Sequence, residues 1–408
     1  MIPPDALEAA VAEVLAGTQV IDIHTHLFAP GFRGLGLWGI DHLLTYHYLE
    51  AELFRFSPIR PEHYWALDIA QRADLIWKTL FVENAPISEA TRGVVAVLHE
   101  LGLDTSARTL EPYRAYFREQ NLPDHITRVF RLAGIESVVM TNDPLDPEES
   151  PLWDSVTPDA RFHASLRLDR LLNQETTHTP AEARRFLESC ARRMRAVYMA
   201  VSLPDSFQFP AGDRRTQLLT EAVLPACRDL NIPLSLMIGV RRQVNPALRL
   251  AGDASARADL RSIETLCREF PGNRFLVSVL SRENQHELCV YARKFGNLMP
   301  FGCWWFLNNP SMVEEITRER LEMLGTSFIP QHSDARILEQ VIYKWRNTRR
   351  TLAPVLANAY RLLTEDGRGI TRGDIERDVN RLFRTNFEEL CLPGANPSRN
   401  RPPPASSA

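Results

Sequence analysis

The chain has 408 residues, 44% of them hydrophobic and 24% charged, close to the average of folded soluble proteins, so it can bury a large core and is not a disordered polymer. Its 47 Lys and Arg stand against 51 Asp and Glu for a formal charge of −4, and the absence of a basic run argues against nucleic acid as a partner. No run of about 18 apolar residues occurs, which argues against a membrane-spanning helix, and six cysteines without paired short spacings (Cys190, Cys227, Cys267, Cys289, Cys303, Cys391) suit free thiols in a reducing, cytoplasmic setting.

Residues 1–17 carry acids among alanines, without the basic start of a signal peptide, and read as a short amphipathic helix. Eight short apolar or β-branched runs follow, at 20–24, 137–141, 161–166, 196–201, 233–238, 274–280, 298–303 and 327–330. Most are separated by helix-like stretches, the mark of βαβ units and a parallel sheet. Eight is the number that closes such a sheet, so the fold class is α/β, a TIM-type (β/α)8 barrel. Residues 181–194, 214–230 and 257–269 have the periodicity of outer helices. The interval after the first run is too long for one crossover, and 42–55, 62–80 and 88–101 look helical, which predicts an all-helical insertion at about 30–130 over the barrel mouth. Two closing helices are expected at 335–363 and 371–390. Residues 1–392 read as one domain, and 393–408, rich in Pro, Asn, Ser and Arg, as a flexible tail.

The active face of such a barrel lies at the C-terminal ends of the strands. The first run ends Ile21-Asp22-Ile23-His24-Thr25-His26, and strand alternation turns the two imidazoles to the same side. Imidazole and carboxylate suit a borderline divalent ion such as zinc. The carboxylate is offered by His332-Ser333-Asp334-Ala335-Arg336, which closes the eighth run and becomes a neighbour of the first when the barrel closes. An HxH pair alone is most simply two polar residues at a strand end. Its position, with Asp334 at the other end of the strand count, favours a metal site formed by His24, His26 and Asp334. Asp22 reads as a structural hydrogen-bonding group.

Position alone makes His47 a surface histidine and Tyr48 a packed aromatic. Arg167 closes the third run, where a buried guanidinium needs an anion from protein or from substrate. Of Trp304 and Trp305 one must face inward, as an aromatic wall or as core. Arg241 and Arg242 close the fifth run, where a solvated loop is the plain alternative to a role in binding.

Taken together, His24-Thr25-His26, His47-Tyr48, the segment Gly302-Cys303-Trp304-Trp305-Phe306-Leu307-Asn308 and Ser333-Asp334-Ala335-Arg336 resemble the uronate isomerase (glucuronate isomerase) family of the amidohydrolase superfamily. The Gly-x-Trp-Trp-Phe segment followed by Asp-x-Arg is the more particular part, and the likeness spans nearly the whole chain. The resemblance implies one divalent ion, zinc with manganese as second choice, on His24, His26 and Asp334. It implies a sugar acid as substrate and interconversion of an aldehyde uronate such as D-glucuronate with its 2-keto isomer, D-fructuronate. Tyr48, Asp334 and Arg336 are then the catalytic candidates, and His47, Arg167, Trp305 and Arg242 the substrate-binding ones. A homo-oligomer is compatible with this reading.

Two positions depart from the family pattern. Met237-Ile238-Gly239 stands where the family has His-Ile-Gly, and Ser202-Leu203-Pro204 where Ser-Asp-His is expected. Isomerisation moves a proton from C2 to C1 and needs a base. Tyr48 would serve if Arg336 favoured its phenolate, with Asp334 or a metal-borne hydroxide as rival, while Arg167 would grip the substrate carboxylate. The alternatives are a metal-dependent hydrolase or decarboxylase of the same superfamily, and a divergent sugar-acid binder without turnover.

Overall fold

The computed structural model describes residues 1–174 and 178–392; the tail expected at 393–408 lies outside them. The strands are β1 (Val20–Thr25), β2 (Ile135–Asn142), β3 (Phe162–Arg167), β4 (Met199–Pro204), β5 (Leu234–Arg241), β6 (Ala254–Ser255), β7 (Phe275–Val279) and β8 (Leu298–Pro300). Seven of them pair in parallel in the order β1-β2-β3-β4-β5-β7-β8, and the two-residue β6 folds back antiparallel on β5. This curled parallel sheet with helices outside it is the TIM-type barrel expected from the strand count.

The eighth expected run does not form a ladder. Residues 327–330 reduce to one bridge, Ile329 to Phe301, with the Gly302 amide donating to Ile329 O at 2.9 Å and the Ile329 amide to Pro300 O at 3.1 Å. Pro330, lacking an N–H, cannot continue the pairing, and the Gln331 carboxamide takes over, accepting from the amides of Cys303 at 2.8 Å and His332 at 3.0 Å. The cylinder nevertheless closes. Asp334 donates its amide to His24 O at 3.2 Å, and His26 donates to Ala335 O at 2.7 Å.

Strand alternation splits the apolar residues into two layers. Ile21, Ile23, Val139, Met237, Leu276, Met299 and Trp304 pack together inside the barrel, where Phe387 and Cys391 of the helix Asn386–Cys391 seal its floor. Val20, Val138, Leu234 and Val277 face the outer helices. Those helices include Pro180–Met194, which opens with a Thr179–Glu182 capping box, Arg261–Glu269 and Pro310–Leu324. The 26-residue helix Gln340–Glu365 continues through Pro354. Among the described residues, no helix is long and apolar enough to cross a membrane.

Between β1 and β2 the chain is helical, with the longest pieces at His47–Phe56, Ile69–Trp77, Glu89–Glu100, Glu111–Arg118 and Leu122–Ala133. The last ends at Gly134 in the left-handed conformation, φ +63°, which turns the chain directly into β2. A buried pair ties this insertion to the segment after Asp334. His125 Nε2 lies 2.8 Å from Glu339 Oε1, and Glu339 Oε2 accepts from the Gly39 amide at 3.1 Å.

Candidate active site

Regular alternation along β1 would aim Asp22 the same way as His24, two residues on. The pairing of β1 with β2 shifts register between Asp22 and Thr25, and this irregularity separates them. Asp22 turns outward, accepting from the Ser333 amide at 3.0 Å and from the Trp345 indole at 2.8 Å, which makes it the structural group the sequence suggested. His24 stays inside. Asp22 thereby pins the turn that carries Asp334, whose backbone is held at φ +51°, a strained conformation for a non-glycine residue.

Within this frame His24, His26 and Asp334 offer three ligand atoms that all lie within 4.8 Å of one another. The Nε2 atoms of His24 and His26 stand 3.7 and 3.4 Å from Asp334 Oδ1. That oxygen is buried and has no hydrogen-bond partner among the described residues, a condition that costs roughly 1–3 kcal/mol or more for a charged group. Burial lowers the His24 pKa to about 3, against the Asp334 charge, which raises it, and burial with the Arg336 and Arg167 cations holds His26 well below its ordinary value. Two neutral imidazoles beside an unpartnered carboxylate oxygen are a donor set that fits a divalent cation.

His47 begins the helix His47–Phe56, buried, with Nε2 unpartnered and its ring 5.7 Å edge-on from Trp305. The Trp305 indole nitrogen is likewise buried and unpartnered, and the Arg242 guanidinium lies 5.9 Å over its ring. Trp304 is buried against Trp305. Arg242 is half exposed and paired at 2.5 Å with the buried Asp253. Arg336 forms no ion pair through its guanidinium among the described residues; its backbone amide donates to Gln340 Oε1 at 2.9 Å. Arg167 ends β3 with Nε and a terminal nitrogen 2.9 and 2.6 Å from Asp169 Oδ2, so the protein itself supplies one anion. Its outer side lines a cavity of about 480 Å³ shared with His26, Asp143, Asn173 and Arg242.

The phenolate expected at Tyr48 does not fit its surroundings. Burial first, then Tyr46, Asp334 and Glu89, push the Tyr48 phenol well above its ordinary pKa. Tyr48 packs against Tyr46 and Phe306, with Lys344 Nζ 5.7 Å above its ring. Met237 lies inside the barrel and Leu203 in the outer core, so neither departure places a polar group at the mouth.

Two residues near the ligands have no role in the sequence reading. His332 is fully buried with both ring nitrogens unpartnered, 5.3 Å edge-on from His24; it stands two residues before Asp334, and alternation was the signal that could have found it. Tyr198, whose phenol reaches His24, has no such signal, because it precedes β4 and crosses the barrel interior.

Fold and donor set together define a barrel enzyme of the amidohydrolase superfamily. No family model and no curated protein sequence matches the chain. Among solved structures, a uronate isomerase from Bacillus halodurans C-125 superposes with a TM-score of 0.93 at 46% identity, covering 96% of this chain and 97% of that one. A uronate isomerase from Thermotoga maritima (TM-score 0.75, 16% identity, 96% and 100% covered) and a glucuronate isomerase from Caulobacter crescentus (0.68, 15%, 98% and 96%) share the fold. With 46% identity to the first over nearly its whole length, the chain belongs to the uronate isomerase family.

Proposed function

We propose that the protein is an aldose–ketose isomerase of hexuronates, interconverting an aldehyde uronate such as D-glucuronate with its 2-keto isomer, D-fructuronate. The observation that carries this reading is the 46% identity to a uronate isomerase across 96% of the chain. The donor set at the mouth supports it, as does an adjoining cavity of about 480 Å³, within the ~300–1,000 Å³ usual for small-molecule sites. His24, His26 and Asp334 would hold one divalent ion, which we take to be zinc. Bound there, it supplies Lewis-acid polarisation of the substrate's carbonyl and neighbouring hydroxyl.

The remaining chemistry falls to side chains. The C2–H bond breaks and a C1–H bond forms, while one hydroxyl proton passes from O2 to O1. Asp334, through the carboxylate oxygen not turned to His24 and His26, carries the carbon proton, in place of the phenolate expected at Tyr48. Tyr48, as a neutral phenol, and His47, through its unpartnered Nε2, hydrogen-bond the two substrate oxygens. Arg336, without an ion partner of its own, stabilises the charge that develops on them. Arg167 and Arg242, on the cavity wall, hold the substrate carboxylate, and Trp305 lies behind it. Six buried free cysteines support a cytoplasmic location.

The test is zinc- or manganese-loaded protein incubated with D-glucuronate and D-galacturonate in deuterated water and followed by NMR. Ketose formation, with deuterium entering at C1 of the ketose or C2 of the aldose, is expected. Hydrolysis of esters, lactones or amides without uronate turnover would favour the hydrolase alternative, and ligand-induced stabilisation without turnover the inactive binder.

A further inference from the structure

Tyr198 sits immediately before β4, 1% exposed, with its ring directed across the barrel interior. Its hydroxyl makes two contacts with β1: Ile23 O at 2.7 Å and His24 Nδ1 at 3.3 Å. A phenol carries a single proton, and the protonation of both partners follows from where that proton goes. The Ile23 carbonyl can only accept. An oxygen–oxygen approach of 2.7 Å is a hydrogen bond if a proton lies between the atoms and a repulsion if none does, so Tyr198 donates to Ile23 O. The neighbouring Ser165 hydroxyl also contacts the phenol, but it donates its own proton to Met140 O at 2.8 Å and so supplies none to His24.

The phenol oxygen can then offer His24 only a lone pair. We infer that Tyr198 is a positioning residue that fixes His24 in the Nδ1–H tautomer and so turns an unprotonated Nε2 toward Asp334. In the other tautomer, Nδ1 and the phenol oxygen would face each other without a proton, and Nε2 would carry a hydrogen into the space where a cation must bind. The carbonyl that holds Tyr198 belongs to the residue before His24, so the phenol fixes both the ring and its backbone. Histidine ligands are commonly oriented in this way by a partner on the second nitrogen, and loss of such a partner weakens metal binding by about 10–100-fold.

The inference rests on the metal site proposed above, but the tautomer can be read without any metal. In metal-free protein labelled with ¹⁵N in its histidine rings, long-range proton–nitrogen correlation should show His24, assigned by its loss in His24→Asn, with a protonated Nδ1 and a bare Nε2. In Tyr198→Phe the preference should fall, and zinc affinity, measured by competition with a chromophoric chelator, should weaken about 10–100-fold while the circular dichroism spectrum and the unfolding midpoint stay near wild type. An Nε2–H tautomer in the wild type, or wild-type zinc affinity in Tyr198→Phe, would overturn the inference. If Tyr198→Phe does not fold, the wild-type spectrum decides alone. A wild-type protein with the expected tautomer but no zinc binding would reject the metal site and leave the role of Tyr198 in place.

Discussion

Gly302 opens the Trp-Trp segment, and its substitution by alanine separates two costs that usually arrive together. Its φ is +63°, and a Cβ built there would overlap the imidazole of His332. The ring has little room to yield, being fully buried between His24 at 5.3 Å and Phe301 at 5.2 Å. Left-handed backbone costs an alanine about 1–2 kcal/mol, and overpacking a rigid core adds about 1–3 kcal/mol, so Gly302→Ala should lose roughly 2–5 kcal/mol. Gly102 supplies the control. Its φ is +74° at the end of the helix Glu89–Glu100, and nothing lies within 4 Å of its Cβ position. Gly102→Ala should therefore lose only the backbone component, about 1–2 kcal/mol. Urea unfolding of both variants at matched m-values reads the difference. Zinc titration should find weakened binding only in Gly302→Ala, because the displaced His332 presses on a ligand. Equal losses within about 0.5 kcal/mol, with unchanged zinc affinity in both, would refute the claim that His332 is wedged against the site.

The two arginines assigned different roles should respond differently to lysine. Arg167→Lys should raise KM about 10–100-fold with kcat little changed, as the loss of a charge-assisted hydrogen bond implies, whereas Arg336→Lys should lower kcat by about 10²-fold or more; steady-state kinetics on the uronate distinguishes them, and a fall in kcat alone for Arg167→Lys would remove it from the substrate carboxylate. Lys344 is buried and 3.0 Å from Glu89, so Lys344→Ala should cost about 3–5 kcal/mol in urea unfolding by stranding the carboxylate. The double change Lys344→Met with Glu89→Gln should recover most of that loss, and a double variant as unstable as the single one would show that packing, not charge, was lost.

The barrel was legible because β1, β2, β3, β4, β5, β7 and β8 fall on apolar runs that alternate with helix-like stretches. Where the reading failed, the causes were local. Pro330 and the Gln331 side chain turn the last run into a bridge, which an apolar pattern cannot reveal. The helices Glu111–Arg118 and Leu122–Ala133 fall within the all-helical insertion expected at about 30–130 but were not marked individually. Each carries a proline in its first turn, Pro112 and Pro123, where proline starts a helix as readily as it breaks one. At the site, the approach of His24, His26 and Asp334 could be foreseen because barrel closure makes the first and last strands neighbours. The state of Tyr48 could not, because its pKa is governed by burial and by Tyr46, Asp334 and Glu89. The reach of Tyr198 was hidden for a similar reason: its partners lie 174 and 175 residues away along the chain.

The seam of the cylinder joins parts of the chain that are synthesised far apart in time. The contacts that pin the Asp334 turn, Ser333 to Asp22 and Trp345 to Asp22, span 311 and 323 residues. A nascent chain that has completed β1 must therefore carry its two histidines unpaired through most of translation, and contacts of such long range form slowly because the loop entropy is met before they can repay it. The three side chains of the proposed site thus come together only late, and a ribosome that stalls before residue 334 releases a polypeptide with His24 and His26 but without the carboxylate that completes the group.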